Sequence, residues 1–208
     1  MFEIFLFINP IGIYCYDIEK QIQDAISELG VEACYHFIPI TSVNVIRDDI
    51  IRRRKDAQKV IDITRYTMAT NRALQDYHAI KLAYGNKKAR KFVFALQQKL
   101  SDDCSLYSAD MPIEVAKELG LNPKNINAAK NSSYIDDSIK QDLKLAEQWN
   151  VSSTPTTVIF NEDEDEESSG MLLEGTLDHD ELLDLLDPIP EKKSILPDIF
   201  ASKHLRLI

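Results

Sequence analysis

Two apolar segments with strand-like composition lie near opposite ends of the chain, and helical periodicity fills the sequence between them. Residues 2–8 form an almost continuous apolar run, and residues 156–160 are β-branched or aromatic, as in a buried strand. From about Val60 to Trp149, apolar positions recur every three or four residues, which predicts consecutive amphipathic helices. The pattern therefore predicts an α/β protein with strands from both ends of the chain and a long helical segment between them.

Shorter signals place the remaining elements. Asp17 is expected to open an amphipathic helix that ends at Leu29, and a second strand is expected within residues 31–40. The polar residues 41–56 predict a loop. After the helical segment, the sequence predicts a hairpin, with strands near 158–163 and 170–175, and a closing helix over 178–186.

These elements predict one domain with an insertion. The predicted parts are an N-terminal αβ part over residues 1–59, a helical insertion over 60–149, a C-terminal αβ part over 150–186 and a tail over 187–208. The acidic run 162–167 is interpreted as a mobile, solvated hairpin tip, because adjacent like charges repel one another. The tail is expected to pack loosely or to contact a partner.

Charge argues against one class of partner. The net charge of −10 disfavours nucleic-acid binding, because phosphate neutralisation requires a basic surface. The basic runs 52–55 and 87–91 are interpreted as solvated faces. No apolar run is long enough to span a membrane, and Met1 is followed directly by the first predicted strand without a signal-peptide pattern, so a cytoplasmic location is expected.

Cysteine and histidine spacing predicts neither a metal site nor a bound cofactor. The three cysteines, Cys15, Cys34 and Cys104, have no C-x-x-C spacing, and the four histidines are scattered along the chain. In a reducing compartment the expected state is three free thiols. Cys34 lies inside a predicted strand, where its expected role is that of a small buried apolar side chain.

Ser153-Thr154-Pro155 precedes the strand at 156–160. A proline at the start of a strand removes no ladder hydrogen bond, and the cis form of an X-Pro bond costs only about 0.5–1 kcal/mol. Taken alone, this stretch favours an ordinary trans proline, although a cis bond is energetically accessible.

The order of a strand, a loop with a cysteine, a helix and a much later Thr-Pro before a strand resembles the DsbA-like branch of the thioredoxin fold. Aligned on Asn9-Pro10, the two positions of the redox Cys-x-x-Cys motif fall at Gly12 and Cys15. In such enzymes the first cysteine attacks, because its helix N-terminus stabilises the thiolate. Only the second cysteine, Cys15, is present here.

The same resemblance implies that Thr154-Pro155 is cis and faces the Gly12–Cys15 loop. Cys15 is then the candidate catalytic residue, and Tyr14, Thr154 and Pro155 are the candidate cleft residues. The resemblance implies no metal and no cofactor.

Several segments resemble the YjbH/SpxH adaptor family more closely. They are the degraded cysteine loop over 7–15, the stretch 79–84, Leu145-Ala146-Glu147 before the proline loop, and the acidic hairpin with Leu173-Glu174-Gly175. This resemblance implies a cytoplasmic, non-catalytic adaptor that binds an Spx-like regulator and promotes its degradation by the ClpXP protease.

Two further functions stay open. One is a thiol-disulfide oxidoreductase or a glutathione-linked enzyme that works through Cys15 alone, and the other is a small-molecule binder beside Pro155. Reactivity of the Cys15 thiol distinguishes the adaptor from the enzyme, because catalysis requires an accessible thiolate.

Overall fold

The computed structural model describes residues 1–57, 62–103, 107–161, 170–187 and 205–207. The chain folds into two compact units. The first unit comprises Met1–Ile8, Tyr14–Ile38 and Ser153–Ile208, and the second comprises Asn9–Ile13 and Pro39–Ser152. The residues predicted to form the helical insertion, 60–149, all belong to the second unit.

Strands and helices occupy the two units unequally. The strands are β1 (Phe2–Ile8), β2 (Ala33–Pro39), β3 (Thr156–Asn161), β4 (Met171–Glu174) and β5 (Leu205–Leu207). The helices are α1 (Ile13–Leu29), α2 (Val43–Ala57), α3 (Ile63–Tyr84), α4 (Asn86–Asp103), α5 (Met111–Glu118), α6 (Pro123–Lys130), α7 (Tyr134–Gln148) and α8 (His179–Leu186). The sheet, α1 and α8 belong to the first unit, and α2 to α7 belong to the second.

The five strands form one sheet in the order β2-β1-β3-β4-β5. β1 and β3 pair antiparallel with Phe5 opposite Val158, and β4 and β5 extend the antiparallel part of the sheet. Ile4, Leu6 and Ile8 of β1 are almost completely buried. The apolar run in the N-terminal sequence thus becomes an inner strand, as its composition predicts.

The structure confirms the first strand, the hairpin of β3 and β4, and the helices at 134–148 and 179–186. In the hairpin, Gly170 precedes β4 against the ring of Phe160, and a Cβ at this position would clash with that ring. Asp178 caps α8 through a reciprocal capping box with Glu181. The predicted acidic tip, 162–167, lies outside the described residues.

Two predicted boundaries are wrong. Residues 43–57 form a helix rather than the predicted loop: Val45, Ile46 and Ile50 bury an apolar face, and the Ser42 hydroxyl caps the helix by accepting from the Val45 amide at 3.1 Å. Charged residues obscured this face in the sequence. α1 begins at Ile13, four residues before the predicted start at Asp17, so that Cys15 lies within its first turn.

The C-terminal segment also differs from the prediction. Residues 205–207 pair with β4 as a fifth strand, where the sequence predicted a loosely packed tail and about four strands in the sheet. Three residues are too short a run to show the alternation by which a strand is recognised. The rest of the predicted tail after Asp187 lies outside the described residues.

In the second unit, α3 is the central helix and packs against α2, α4, α6 and α7. Asp62 caps its N-terminus by accepting from the Thr64 and Arg65 amides. Gly85, at φ +85°, ends α3 and permits the turn into α4. The buried face of α3 includes Tyr77 and Ile80.

A buried polar cluster joins α3 to α7. His78 Nδ1 lies 2.9 Å from the Ser138 hydroxyl oxygen, and His78 Nε2 lies 3.6 Å from Asp142 Oδ2, which is too long for a hydrogen bond. Burial lowers the pKa of His78 to about 4, and the nearby Lys81 charge adds to this effect. Burial raises the pKa of Asp142 to about 6, so between these values both side chains are neutral in the folded protein.

This cluster predicts opposing pH effects on stability. Below about pH 6.5, His78 is protonated in the unfolded chain but not in the folded chain, which lowers the free energy of unfolding as the pH falls. Below about pH 6, Asp142 is protonated in the folded chain but not in the unfolded chain, which raises the free energy of unfolding and offsets the effect of His78. Asp142→Asn lacks the proton uptake that offsets the effect of His78. When the pH is lowered from 7 to 4.5, we therefore expect the free energy of unfolding of this variant, measured by urea denaturation, to fall by about 2 kcal/mol more than that of the wild type.

The exposed Asp136 on the same helix supplies the control, and Asp136→Asn should keep the wild-type pH profile. Parallel profiles for Asp142→Asn and wild type would contradict the assignment of these protonation states.

Candidate functional site

The loop that corresponds to the redox motif is a tight turn between β1 and α1. Asn9 Oδ1 accepts a hydrogen bond from the Ile11 amide at 3.1 Å, and the Gly12 amide donates to the Asn9 carbonyl at 2.9 Å. The first bond is that of an Asx turn, which asparagine favours, and the second is the main-chain bond of a β-turn. Gly12, at the expected nucleophile position, has no side chain to offer.

Side chains from helices of the second unit, to which Asn9–Ile13 also belongs, form hydrogen bonds with this loop. Gln97, which is completely buried, donates from Nε2 to the Asn9 carbonyl at 3.0 Å. Asn9 Nδ2 donates to the Tyr66 hydroxyl oxygen at 3.2 Å. Both polar ends of the Asn9 side chain and its main-chain carbonyl are therefore hydrogen-bonded, as buried polar groups require.

An ion pair on α2 completes the arrangement. Arg53 donates from Nε to Asp49 Oδ2 at 2.7 Å and from a terminal nitrogen to the Ile11 carbonyl, and Tyr66 donates to the Asp49 carboxylate. Burial, followed by the Asp49 charge, raises the pKa of Tyr66 well above its usual value, so its hydroxyl remains a donor. Asn9, Asp49, Arg53, Tyr66 and Gln97 are called the loop-anchoring network below.

The basic run at 52–55 is therefore not uniformly solvated. The Arg53 side chain is only 13% exposed, because it pairs with Asp49 and extends to the cysteine loop. The sequence contains one signal for this pair, the i,i+4 spacing of Asp49 and Arg53 on a helix. The predicted loop at 41–56 concealed that signal, and nothing in the sequence marks Tyr66 or Gln97 as their partners.

Cys15 is buried, with 1% of its surface exposed, and Tyr14 beside it is partly buried. Tyr14 also lines an open polar groove of about 750 Å³ in the first unit, between α1 and the start of α8. The Cys15 thiol lacks the solvent access that nucleophilic attack on a protein disulfide requires.

The Thr154–Pro155 peptide bond is cis, in agreement with the family resemblance. Thr154 and Pro155 are both buried, and the Pro155 carbonyl accepts from the Gly175 amide at 2.8 Å, which ties this turn to the end of β4. That Pro155 faces the Gly12–Cys15 loop stays a prediction.

Cys34 was predicted to be buried, and this is wrong. It lies exposed on the edge strand β2, with its Sγ 3.7 Å from Nε2 of His36. His36 Nε2 is in turn 2.9 Å from Glu3 Oε1, and its ring stacks on Phe5 at 4.5 Å. An edge strand leaves part of its side chains open to solvent, which the local sequence did not reveal. Cys104 lies outside the described residues.

Within the described part of the chain, no group of three histidine, cysteine or acidic side chains is arranged to hold a metal ion. Among the same residues, no helix is both long enough and apolar enough to cross a membrane.

A cleft of about 790 Å³ lies within the second unit, next to the loop-anchoring network. Ile11, Arg53 and Tyr66 form its inner end, and the exposed face of α3 forms one wall. Three arginines and one aspartate are the charged residues of its lining: Arg53, Arg65, Arg72 and Asp62. No sequence pattern marks this cleft, because its walls come from separate helices.

The fold and this loop define a DsbA-like protein of the thioredoxin superfamily. A family profile described as Thioredoxin matches residues 5–183, and the chain belongs to that family.

One individual relative is similar to this chain over most of its length. The chain is 25% identical over 175 residues to the ClpXP adapter protein SpxH of Staphylococcus saprophyticus. The match covers 83% of this chain and 60% of the relative, so the chain spans less than two thirds of that relative's length.

Two solved structures share the fold. The thiol-disulfide exchange protein alpha-DsbA2 from Wolbachia pipientis superposes with a TM-score of 0.62 at 16% identity and covers 89% of this chain and 80% of its own. A putative protein disulfide isomerase from Nitrosomonas europaea superposes with a TM-score of 0.60 at 13% identity, over 95% and 98% of the two chains.

The loop-anchoring network should contribute strongly to stability. Asp49→Asn leaves the Arg53 guanidinium buried without its counter-charge, and we expect the free energy of unfolding in guanidinium chloride to fall by about 3 kcal/mol. Glu118→Gln, which removes the exposed pair with Lys99, should cost less than about 1 kcal/mol. Equal losses in the two variants would show that the network contributes no more than a surface pair.

Thiol exposure predicts a large difference in reactivity. In a Cys104→Ser background, we expect an aromatic disulfide reagent to label one thiol rapidly and the second at least about 100-fold more slowly, because a buried thiol reacts only after local opening. Cys34→Ser should remove the rapid phase and Cys15→Ser should preserve it, as followed by absorbance. Loss of the rapid phase in Cys15→Ser would contradict the structure.

Proposed function

We propose that this protein is a cytoplasmic, non-catalytic adaptor that binds an Spx-like regulator and promotes its degradation by the ClpXP protease. The observation that carries the proposal is the state of the redox loop. The nucleophile position is Gly12, and Cys15 is 1% exposed. The likeness to the SpxH adapter supports the proposal independently.

The loop-anchoring network agrees with a binding role. Both main-chain carbonyls of the loop that point to the network, those of Asn9 and Ile11, accept hydrogen bonds from side chains of α2 and α4. A dithiol oxidoreductase needs two thiols at this place, one to form a mixed disulfide and one to resolve it. A protein that only presents a surface requires no such exchange, and a rigid scaffold lowers the entropy lost on binding.

The competing hypothesis is thiol-disulfide exchange through Cys15, with glutathione as co-substrate in place of the cysteine that is missing at position 12. The solved DsbA-like structures share the fold, which is compatible with both functions. The burial of Cys15 favours the adaptor. Cys15 lies in the first turn of α1 under either hypothesis, so only a functional measurement separates the two.

The decisive experiment combines binding and proteolysis. We expect the purified protein to bind a purified Spx-like regulator at concentrations of about 10 µM or below and to accelerate its degradation by purified ClpXP. Cys15→Ser should change the degradation rate by less than about twofold, because the thiol is buried and has no partner thiol in the motif. Association and dissociation rates are measured by surface plasmon resonance, and the degradation rate is measured from the loss of the regulator over time on denaturing gels.

An insulin-reduction assay on the same preparation is the control for the competing hypothesis. Turnover by the wild type that Cys15→Ser abolishes would overturn the adaptor proposal. Absence of binding by a protein that is folded by circular dichroism would exclude this regulator as the client.

A further inference from the structure

The cleft of the second unit has the size of a site for a peptide segment. Its volume of about 790 Å³ lies in the range of roughly 300–1,000 Å³ that is usual for ligand pockets. Arg65, Met68, Ala69, Arg72 and Gln75 line one wall, and their spacing of three or four residues places them on one face of α3. This face runs the length of about three helical turns.

The wall carries two arginines that form no ion pair among the described residues. Arg65 and Arg72 are exposed, and neither side chain has a hydrogen bond or ion pair within the part of the chain that the structure describes. Asp62, the one acidic residue of the lining, is occupied by capping α3. Asp76, one turn beyond Arg72, forms its ion pair with Lys130 Nζ at 2.5 Å and has only a weaker electrostatic interaction with Arg72.

The charge of this cleft differs from that of the whole chain. The chain has a net charge of −10, yet two exposed arginines, Arg65 and Arg72, line the cleft beside Arg53, whose charge is paired with Asp49. Arginine is the side chain best suited to bind a carboxylate, because its planar donors match the two oxygens. The local charge therefore complements an acidic ligand.

Two further groups in the cleft lack partners. Met68, between the two arginines, is 65% exposed, which is high for an apolar side chain on a packed helix. Tyr107 also lines the cleft, and its hydroxyl is buried without a hydrogen-bond partner among the described residues. A ligand with an apolar side chain and a hydrogen-bond acceptor would satisfy both.

We infer that this cleft binds an acidic segment of a client protein, with Arg65 and Arg72 each taking a carboxylate and Met68 contacting an apolar side chain between them. Seven helical residues separate the arginines by about 10 Å. Acidic residues three apart in a polyproline II segment lie on the same face of the peptide and are separated by a similar distance, about 9 Å. The inference rests on the proposed adaptor function for the nature of the ligand as a protein chain.

The test uses a fluorescein-labelled peptide, Gly-Ser-Glu-Ala-Leu-Glu-Ser-Gly, and the full chain. By fluorescence anisotropy, we expect saturable binding of this peptide, and binding weaker by at least about tenfold when both Glu residues are replaced by Gln. Replacement of Leu by Ser in the peptide should also weaken binding. Equal binding of the Glu and Gln peptides would overturn the inference.

Matched charge variants locate the site. Arg65→Glu with Arg72→Glu should weaken peptide binding by at least about tenfold, since each removes a charge-assisted contact and adds repulsion. Lys87→Glu with Lys88→Glu changes the net charge equally at exposed positions outside the cleft, and binding should be retained. Equal losses in the two double variants would attribute binding to overall charge and overturn the inference.

Small anions distinguish a peptide site from a general anion site. If succinate or inorganic phosphate displaces the peptide at the same concentration as the unlabelled peptide does, the cleft is a small-anion site and the inference fails. Displacement only by the peptide supports it.

The outcomes for the cleft and for the adaptor function are separable. If Arg65→Glu with Arg72→Glu leaves both peptide binding and regulator degradation unchanged, the cleft inference fails and the adaptor function stands. If the peptide binds as expected but no regulator is degraded, the adaptor function fails and the cleft remains an acidic-peptide site.

Discussion

The buried ion pair of Arg53 and Asp49 is the constraint on which the cysteine loop depends. Charges with little solvent access are stable only when they are paired and when their remaining donors and acceptors are satisfied. Here the remaining donors of Arg53 reach the Ile11 carbonyl, and the Asp49 carboxylate accepts from Tyr66. The electrostatic requirement of one helix thus fixes the backbone of a loop about forty residues away in the sequence.

The same loop explains how a thioredoxin fold can serve a different purpose. Redox members need a thiolate at a helix N-terminus, reached by substrate and resolved by a second thiol. In this chain the helix starts at Ile13, directly after Gly12, and the remaining cysteine is buried in its first turn. The helix terminus is retained and a cysteine at the nucleophile position is not, which agrees with the proposed binding role.

Sequence patterns predicted the parts of the fold that depend on local apolar periodicity. The strand at 2–8, the hairpin and the helix at 134–148 each bury one continuous apolar set, and such sets are visible in the residues themselves. α2 was missed because five charged residues between Arg47 and Arg53 hide its apolar face. β5 was missed because three residues carry too little pattern.

The site was less predictable for a related reason. A cysteine position follows from alignment, but its exposure depends on what covers it, and the structure reverses the expectation for Cys34. Likewise, the cleft along α3 combines an arginine whose charge is neutralised within the fold, Arg53, with two arginines that form no ion pair among the described residues. In the sequence all three are simply basic residues. Partner geometry separates a structural cation from one available to a ligand, and that geometry exists only in the folded chain.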